Sequence, residues 1–175
     1  ASQLNQVVVC DFRSQDVAMG GQGAPLVPVG DKLLFSEYDA CLNLGGFANG
    51  SYSQNGIMIA YDLCAVNTVL NFLAEKKGVL FDKDGVLAKN GTLIPDFFNE
   101  LEGLSFYKKT HPKSLGIEWV YATLFPLLEK HKTNSIEDLI HTYTFHISKV
   151  IGISFSAGQK VLVTGGGAKN TYLMS

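Results

Sequence analysis

Charge is scarce in this chain: only 17% of its 175 residues are Asp, Glu, Lys or Arg, against roughly 25% in ordinary soluble domains. A surface that poor in charge fits cover by further chain segments or by a second copy in a homodimer. Nor is there a field of one sign. Fourteen basic and sixteen acidic residues leave a net charge of −2, and the lysines are scattered, which excludes nucleic acid as the expected partner. Cysteine is limited to Cys10, Cys41 and Cys64, odd in number and each in or beside an apolar run, so all three read as reduced core residues. No apolar run reaches the ~18 residues of a membrane span, and no charged-then-apolar leader opens the chain. The expected location is the cytoplasm, with no membrane partner.

Several chemistries are missing as well. No Gly-x-x-x-x-Gly-Lys phosphate loop occurs. His111, His131, His141 and His146 have no metal-ligand spacing, and Asp82-Lys83-Asp84-Gly85 lacks the remaining ligands of a calcium loop and reads as a turn. No metal-ligating residue is assigned. Asn49-Gly50-Ser51 and Asn90-Gly91-Thr92 match the glycosylation pattern by chance in a cytosolic protein.

What the chain does have is 46% hydrophobic residues, enough for one cored domain with an appendage, and 18 glycines. Many of these glycines sit in three segments, each after an apolar β-like run: Gly20-Gly21-Gln22-Gly23-Ala24-Pro25, preceded by Asp11-Phe12-Arg13; Asn43-Leu44-Gly45-Gly46-Phe47-Ala48-Asn49; and Thr164-Gly165-Gly166-Gly167-Ala168-Lys169-Asn170. Glycine directly after a strand permits positive φ and close backbone approach to a ligand, as phosphate and nucleotide sites require.

The expected order of elements begins with a strand at Val7–Cys10, followed by a long loop with no helical period. Two hairpins follow: Ala40–Leu44 turns at Gly45-Gly46 into Gly50–Gln54, which turns at Asn55-Gly56 into Ile57–Tyr61. Helices are predicted over 65–76, with Gly78 as stop, and over 115–130. A third, over 135–151, has an apolar stripe of Ile136, Leu139, Ile140, Tyr143 and Ile147 and a Ser135/Asp138 capping box. A strand at 160–164 then enters the last glycine segment.

Each candidate residue has a plain reading beside the functional one. Asp11, placed just past a strand, is either a catalytic carboxylate or an Asx turn. Arg13 and Asp16 either orient a substrate or form a local ion pair. The Gly45-Gly46 bend offers N–H groups to phosphates or is only a turn. Gly165-x-Gly167 after a strand also suits a dinucleotide fold and hence an oxidoreductase, although Asn170 stands where the third glycine of that fingerprint belongs.

Taken together, the three segments resemble the anhydro-N-acetylmuramic acid kinases, members of the sugar-kinase, actin and chaperone-ATPase superfamily. The resemblance implies an α/β fold, a ribonuclease-H-like ATPase lobe with a mixed sheet flanked by helices. Residues 1–39 would be the remnant of a first lobe carrying the sugar-site loop, and 40–175 the second lobe. The implied reaction is ATP-dependent, with Mg2+: the anhydro bridge of the amino sugar is opened by water and the sugar is phosphorylated, in the recycling of cell-wall sugars. It makes Asp11 the general base and puts Arg13, Gly21, Gln22 and Gly23 at the sugar. Asn43, Gly45, Gly46 and Asn49 would hold the ATP phosphates, and Gly165, Gly166, Gly167 and Asn170 the adenosine.

The resemblance spans nearly all of this chain and about half of a complete family member, without the family's N-terminal phosphate loop or its C-terminal end. One internal departure matters. The family's Asp-x-Gly-Pro-Gly-Asn is here Asp62-Leu63-Cys64-Ala65-Val66-Asn67, which favours a rival reading as a non-catalytic sugar- or nucleotide-binding relative.

Overall fold

The computed structural model describes residues 3, 5–21, 26–110 and 113–175. Its centre is a four-stranded mixed sheet, made of β1 (Ala40–Leu44), β2 (Phe47–Gln54), β3 (Ile57–Ala65) and β4 (Val161–Thr164), in the order β3-β2-β1-β4. The β1–β2 and β2–β3 pairs are antiparallel, and β1–β4 is parallel. Asn55 and Gly56 both take positive φ, 53° and 80°, the conformation a tight two-residue hairpin demands.

Alternation decides which side of β1 is buried. Ala40, Leu42 and Leu44 face inward while Asn43 is exposed. Beneath them lies α8 (Ile136–Gly152), whose predicted stripe is buried as expected: Leu139, Ile140, Tyr143 and Ile147 are among the most enclosed side chains. The Tyr143 hydroxyl donates to the Ala65 carbonyl at 2.8 Å, fixing the helix to the end of β3. Ser135 Oγ accepts from Asp138 N at 3.0 Å, so the cap forms. The Asp138 carboxylate does not reach back, however; it accepts from Thr92 N (2.7 Å) and Thr92 Oγ1 (2.9 Å), clipping loop 90–94 onto the helix.

Helix α3 (Asn67–Glu75) follows β3, and Gly78 ends that region with φ +78°. The helix predicted over 115–130 is a succession of α6 (Ile117–Trp119), a π-helical turn at Val120–Leu124, and α7 (Phe125–Lys130). Between residues 78 and 110, the helices α4 (Val86–Lys89) and α5 (Pro95–Gly103) were not foreseen.

The first forty residues depart most from expectation. Val7, Val8 and Val9 form no strand, and Val7 is 93% exposed. A β-branched run becomes a strand only with a neighbour to share its ladder, and none of the described strands lies beside it. Cys10 is therefore exposed rather than a core residue, while Cys41 is half-buried and Cys64 enclosed. The expected long loop contains two helices, α1 (Phe12–Ala18) and α2 (Val27–Leu34). Helix α2 rests on the β2–β3 hairpin through Ser51 Oγ donating to Asp31 Oδ2 at 2.7 Å.

Candidate functional site

Because β1 and β4 are parallel, both leave the sheet on the same edge, and their carboxyl ends deliver Gly45-Gly46 and Gly165-Gly166-Gly167 side by side. The contact is at the level of the backbone. Gly165 has φ +85°, and a Cβ there would lie 2.7 Å from Asn43 Oδ1 and from the Leu44 carbonyl carbon and oxygen. A Cβ on Gly167 would meet Leu44 Cβ at 2.8 Å.

The start of α3 closes the cluster. Val66 N and Thr68 N donate to the Gly46 carbonyl (2.8 and 3.2 Å), and Asn67 N donates to the Gly45 carbonyl at 3.2 Å. The Asn67 and Thr68 side chains donate to the Leu44 and Gly46 carbonyls at 3.1 and 3.0 Å. The orphan N–H groups of a helix start are thus spent on the bend rather than left for an anion. Gly45 N donates to the Phe47 carbonyl at 3.1 Å. Gly46 N–H, by contrast, donates to no acceptor among the described residues, so of the two bend amides only this one is available to a phosphate. Neither glycine uses positive φ. Space is what requires Gly46: a Cβ would come within 2.8 Å of Thr68 Oγ1.

Asp62, next to the missing family glycines, holds the bend from behind. One carboxylate oxygen accepts a short hydrogen bond from Asn49 Nδ2. The other accepts from Leu115 N at 2.7 Å and Ser114 Oγ at 3.2 Å. Asn49 Oδ1 in turn accepts from Asn43 Nδ2 at 3.5 Å, and Asn43 is the residue against which Gly165 fits. Both predicted asparagines therefore support the loops. Leu63, Cys64, Ala65 and Val66, of which Cys64 and Val66 stand where the family pattern has its two glycines, are wholly enclosed in the core, and burial pushes the Cys64 thiol far up.

Two cavities flank Asn67 and Asn71. One, of about 230 Å³, lies between the Gly166-Gly167 loop and the Phe81–Asp84 turn, with Lys169 and Asn170 at its side. The other, about 510 Å³, begins at Gly46 and runs between α3 and α6–α7. Lys83 belongs to the Asp82–Gly85 segment that sequence alone reduces to a turn, and Phe81 immediately precedes it. That turn has a structural task too: the buried Asp82 carboxylate accepts from Leu87 N and Ala88 N at 2.8 and 3.0 Å, and the Asp84 carbonyl receives Tyr172 N and Thr171 Oγ1. Asn170 uses its Oδ1 locally, accepting from Leu173 N at 3.0 Å.

Asp11, Arg13 and Gly21 lie on a separate, exposed segment, since α1 buries no residue. Asp11 does not follow a strand; it precedes α1 with φ 59°, ψ 41°, and its Oδ1 accepts from Ser14 Oγ at 2.8 Å. Gly21 packs against Asp16, whose carboxylate a Cβ would strike. Gln22 and Gly23 lie outside the described residues. The structure thus unites the second and third glycine segments; of the first, Gly20 and Gly21 follow α1, and the rest lies outside the described residues. No group of three His, Cys, Asp or Glu side chains that could hold a metal occurs among the described residues. After β4 the chain enters a short 3-10 turn, Gly166–Lys169, rather than the long helix a dinucleotide fold needs.

The family model described as anhydro-N-acetylmuramic acid kinase matches residues 1–175. The chain belongs to that family. Among its curated relatives of that name, the Aliivibrio fischeri protein is 36% identical over 176 residues, covering 95% of this chain and 48% of the relative. The Pseudomonas syringae pv. tomato protein is 33% identical over 184 residues, 99% of this chain and 50% of the relative. The Methylorubrum populi protein is 36% identical over 186 residues, 100% and 48%. The chain spans about half the length of the curated relatives it matches. No described helix is long and apolar enough to cross a membrane.

Proposed function

We propose that this chain forms the nucleotide-holding part of an ATP-dependent kinase that opens the anhydro bridge of anhydro-N-acetylmuramic acid and phosphorylates the sugar. The observation that carries the reading is the meeting of the Gly45-Gly46 bend, the start of α3 and Gly165–Gly167 at one sheet edge. In this reading residues 40–175 are a ribonuclease-H-like lobe and 1–39 belong to another lobe. The adenosine occupies the cavity between Gly166-Gly167 and Phe81–Asp84, with Phe81 and Lys169 beside it. The phosphates extend past Asn67 to the free Gly46 N–H.

The chemistry then balances. Asp11 takes a proton from the water whose oxygen bonds to the anomeric carbon as the bridge C–O bond breaks. The released oxygen bonds to the γ-phosphorus, and the bond to the β-phosphate oxygen breaks, giving sugar phosphate and ADP. Arg13 and the Gly21–Gly23 segment flank the sugar. Magnesium would be held chiefly by the nucleotide's own phosphates, because both Asp62 oxygens already accept protein hydrogen bonds; its charge would offset that of the phosphates.

The enclosed Leu63–Val66 run favours a second reading, a relative that binds without turnover. One assay separates the two: ADP release that depends on the anhydro sugar supports the kinase, whereas ATP and sugar binding without ADP release supports the binder. Absence of ATP binding would overturn both.

A further inference from the structure

The smaller cavity, between the Gly166-Gly167 loop and the Phe81–Asp84 turn, has one apolar wall that the core does not account for. Phe81 is 57% exposed, is not packed against the core and has no ring partner among the described residues. The chain that carries it is nevertheless fixed. Asp82 caps the start of α4, and the Asp84 carbonyl receives Tyr172 N and Thr171 Oγ1 from the segment that leaves the glycine loop. Gly85, at φ +72°, has no room for a Cβ, which would lie 2.4 Å from Asn170 Oδ1 and from Tyr172 Cβ. The two walls are thus tied to each other, and the fold sets the gap between them.

The wall opposite Phe81 is bare backbone. Packing within the protein forbids a side chain at Gly165 and Gly167 but not at Gly166: a Cβ there would meet only Asn67 Nδ2, at 3.7 Å, and φ is not positive. Asn67 also lines the cavity, so a methyl group on Gly166 would take space from the cavity rather than from the core. A slot with a phenyl ring on one side and glycine peptides on the other matches a flat heteroaromatic base, which stacks by its face.

Faces do not tell adenine from guanine; edges do. Strong discrimination at an edge needs buried polar groups that the wrong base leaves unpaired. Here such groups are already satisfied within the protein: both Asp82 oxygens by Leu87 N and Ala88 N, Asn170 Oδ1 by Leu173 N, and Asn67 Nδ2 on the Leu44 carbonyl. Lys83, Asp84 and Lys169 are exposed. Asn71 is half-buried with no hydrogen-bond partner among the described residues. Its amide both donates and accepts, so it suits the 6-amino group of adenine and the 6-oxo group of guanine alike. We propose that the slot takes purine nucleoside triphosphates as a class, GTP as well as ATP, with Phe81 as the stacking residue. This rests on the reading of the chain as the nucleotide-holding part of a kinase.

The test is calorimetric titration of the 175-residue chain with ATP and, separately, GTP, repeated on Phe81→Ala, Phe81→Tyr and Gly166→Ala, with thermal melting of each variant. The two nucleotides should bind within about tenfold of one another, and Phe81→Ala should weaken both by about tenfold. Phe81→Tyr keeps the ring and should weaken neither. Gly166→Ala should leave the melting temperature unchanged and weaken both nucleotides. GTP binding weaker than ATP binding by much more than tenfold overturns the base tolerance and leaves the kinase reading standing. Affinities that ignore both Phe81→Ala and Gly166→Ala overturn the slot, again without touching that reading. Absence of ATP binding by the unaltered chain overturns the nucleotide reading and the slot with it.

Discussion

Gly165 fits against Asn43 with no room for a methyl group: its Cβ would stand 2.7 Å from Asn43 Oδ1, on a backbone already at φ +85°. Gly165→Ala combines a left-handed backbone with a clash against the Leu44 carbonyl, which cannot rotate away. We expect a loss of roughly 1–3 kcal/mol in stability and a clear loss of ATP affinity, read by thermal melting and an ATP titration. An unchanged melting temperature would show that the two loops are not in backbone contact.

Gly46 offers a sharper separation of space from hydrogen bonding. Gly46→Ala collides with Thr68 Oγ1, and ATP binding should weaken. Thr68→Ala removes the colliding oxygen, so the double variant should regain most of the affinity if space is the cause. Sugar binding should change little in either. Equal losses for sugar and ATP would mark the bend as important only for folding.

Asp11 can be tested without disturbing its helix. Asn tolerates the left-handed conformation of this position and keeps an oxygen for Ser14 Oγ. Asp11→Asn should therefore leave the melting temperature and sugar binding nearly unchanged while sugar-dependent ADP release falls by about 10²–10⁴-fold, the usual worth of a general base. Near-normal turnover would remove Asp11 from the mechanism.

His146 gives a pH prediction. It is wholly enclosed, its Nδ1 pairs with Glu102 Oε1 at 2.8 Å, and its Nε2 has no partner. Burial lowers its pKa below the ordinary 6.5, although Glu102 pulls the other way. The unfolded chain thus takes up a proton at a pH where the folded chain does not, so stability falls as pH drops below about 6.5. The melting temperature should decline between pH 7.5 and 5.5, and the decline should be shallower in His146→Gln. A parallel decline in both would assign it to other groups.

The elements legible in the sequence are those whose signal is local. Asn55-Gly56 announces its hairpin by backbone preference, and α8 announces itself by a stripe that one buried face requires. Helix α1 has no such stripe, because it buries nothing. Helix α5 did leave a trace: Pro95 at its first turn, with Phe97 and Leu101 four apart and buried. The glycine segments of the site are readable because Gly46, Gly165 and Gly167 leave no room for a side chain where they stand. The supports behind them are not, since Asp62 finds its partners 13 and 53 residues away. The strand expected before Asp11 failed for the same reason in reverse: a strand's neighbour is not written in its own residues.

Asp62 also ties together two parts of the chain that are far apart in sequence. One oxygen holds Asn49, behind the Gly45-Gly46 bend; the other holds Ser114 and Leu115, immediately before α6, which lines the cavity that begins at Gly46. A ligand seated in that cavity would act on the bend through a single carboxylate. Linkage is reciprocal: whatever factor the sugar confers on nucleotide affinity, the nucleotide returns to the sugar. In Asp62→Asn that cooperativity should vanish before either affinity does.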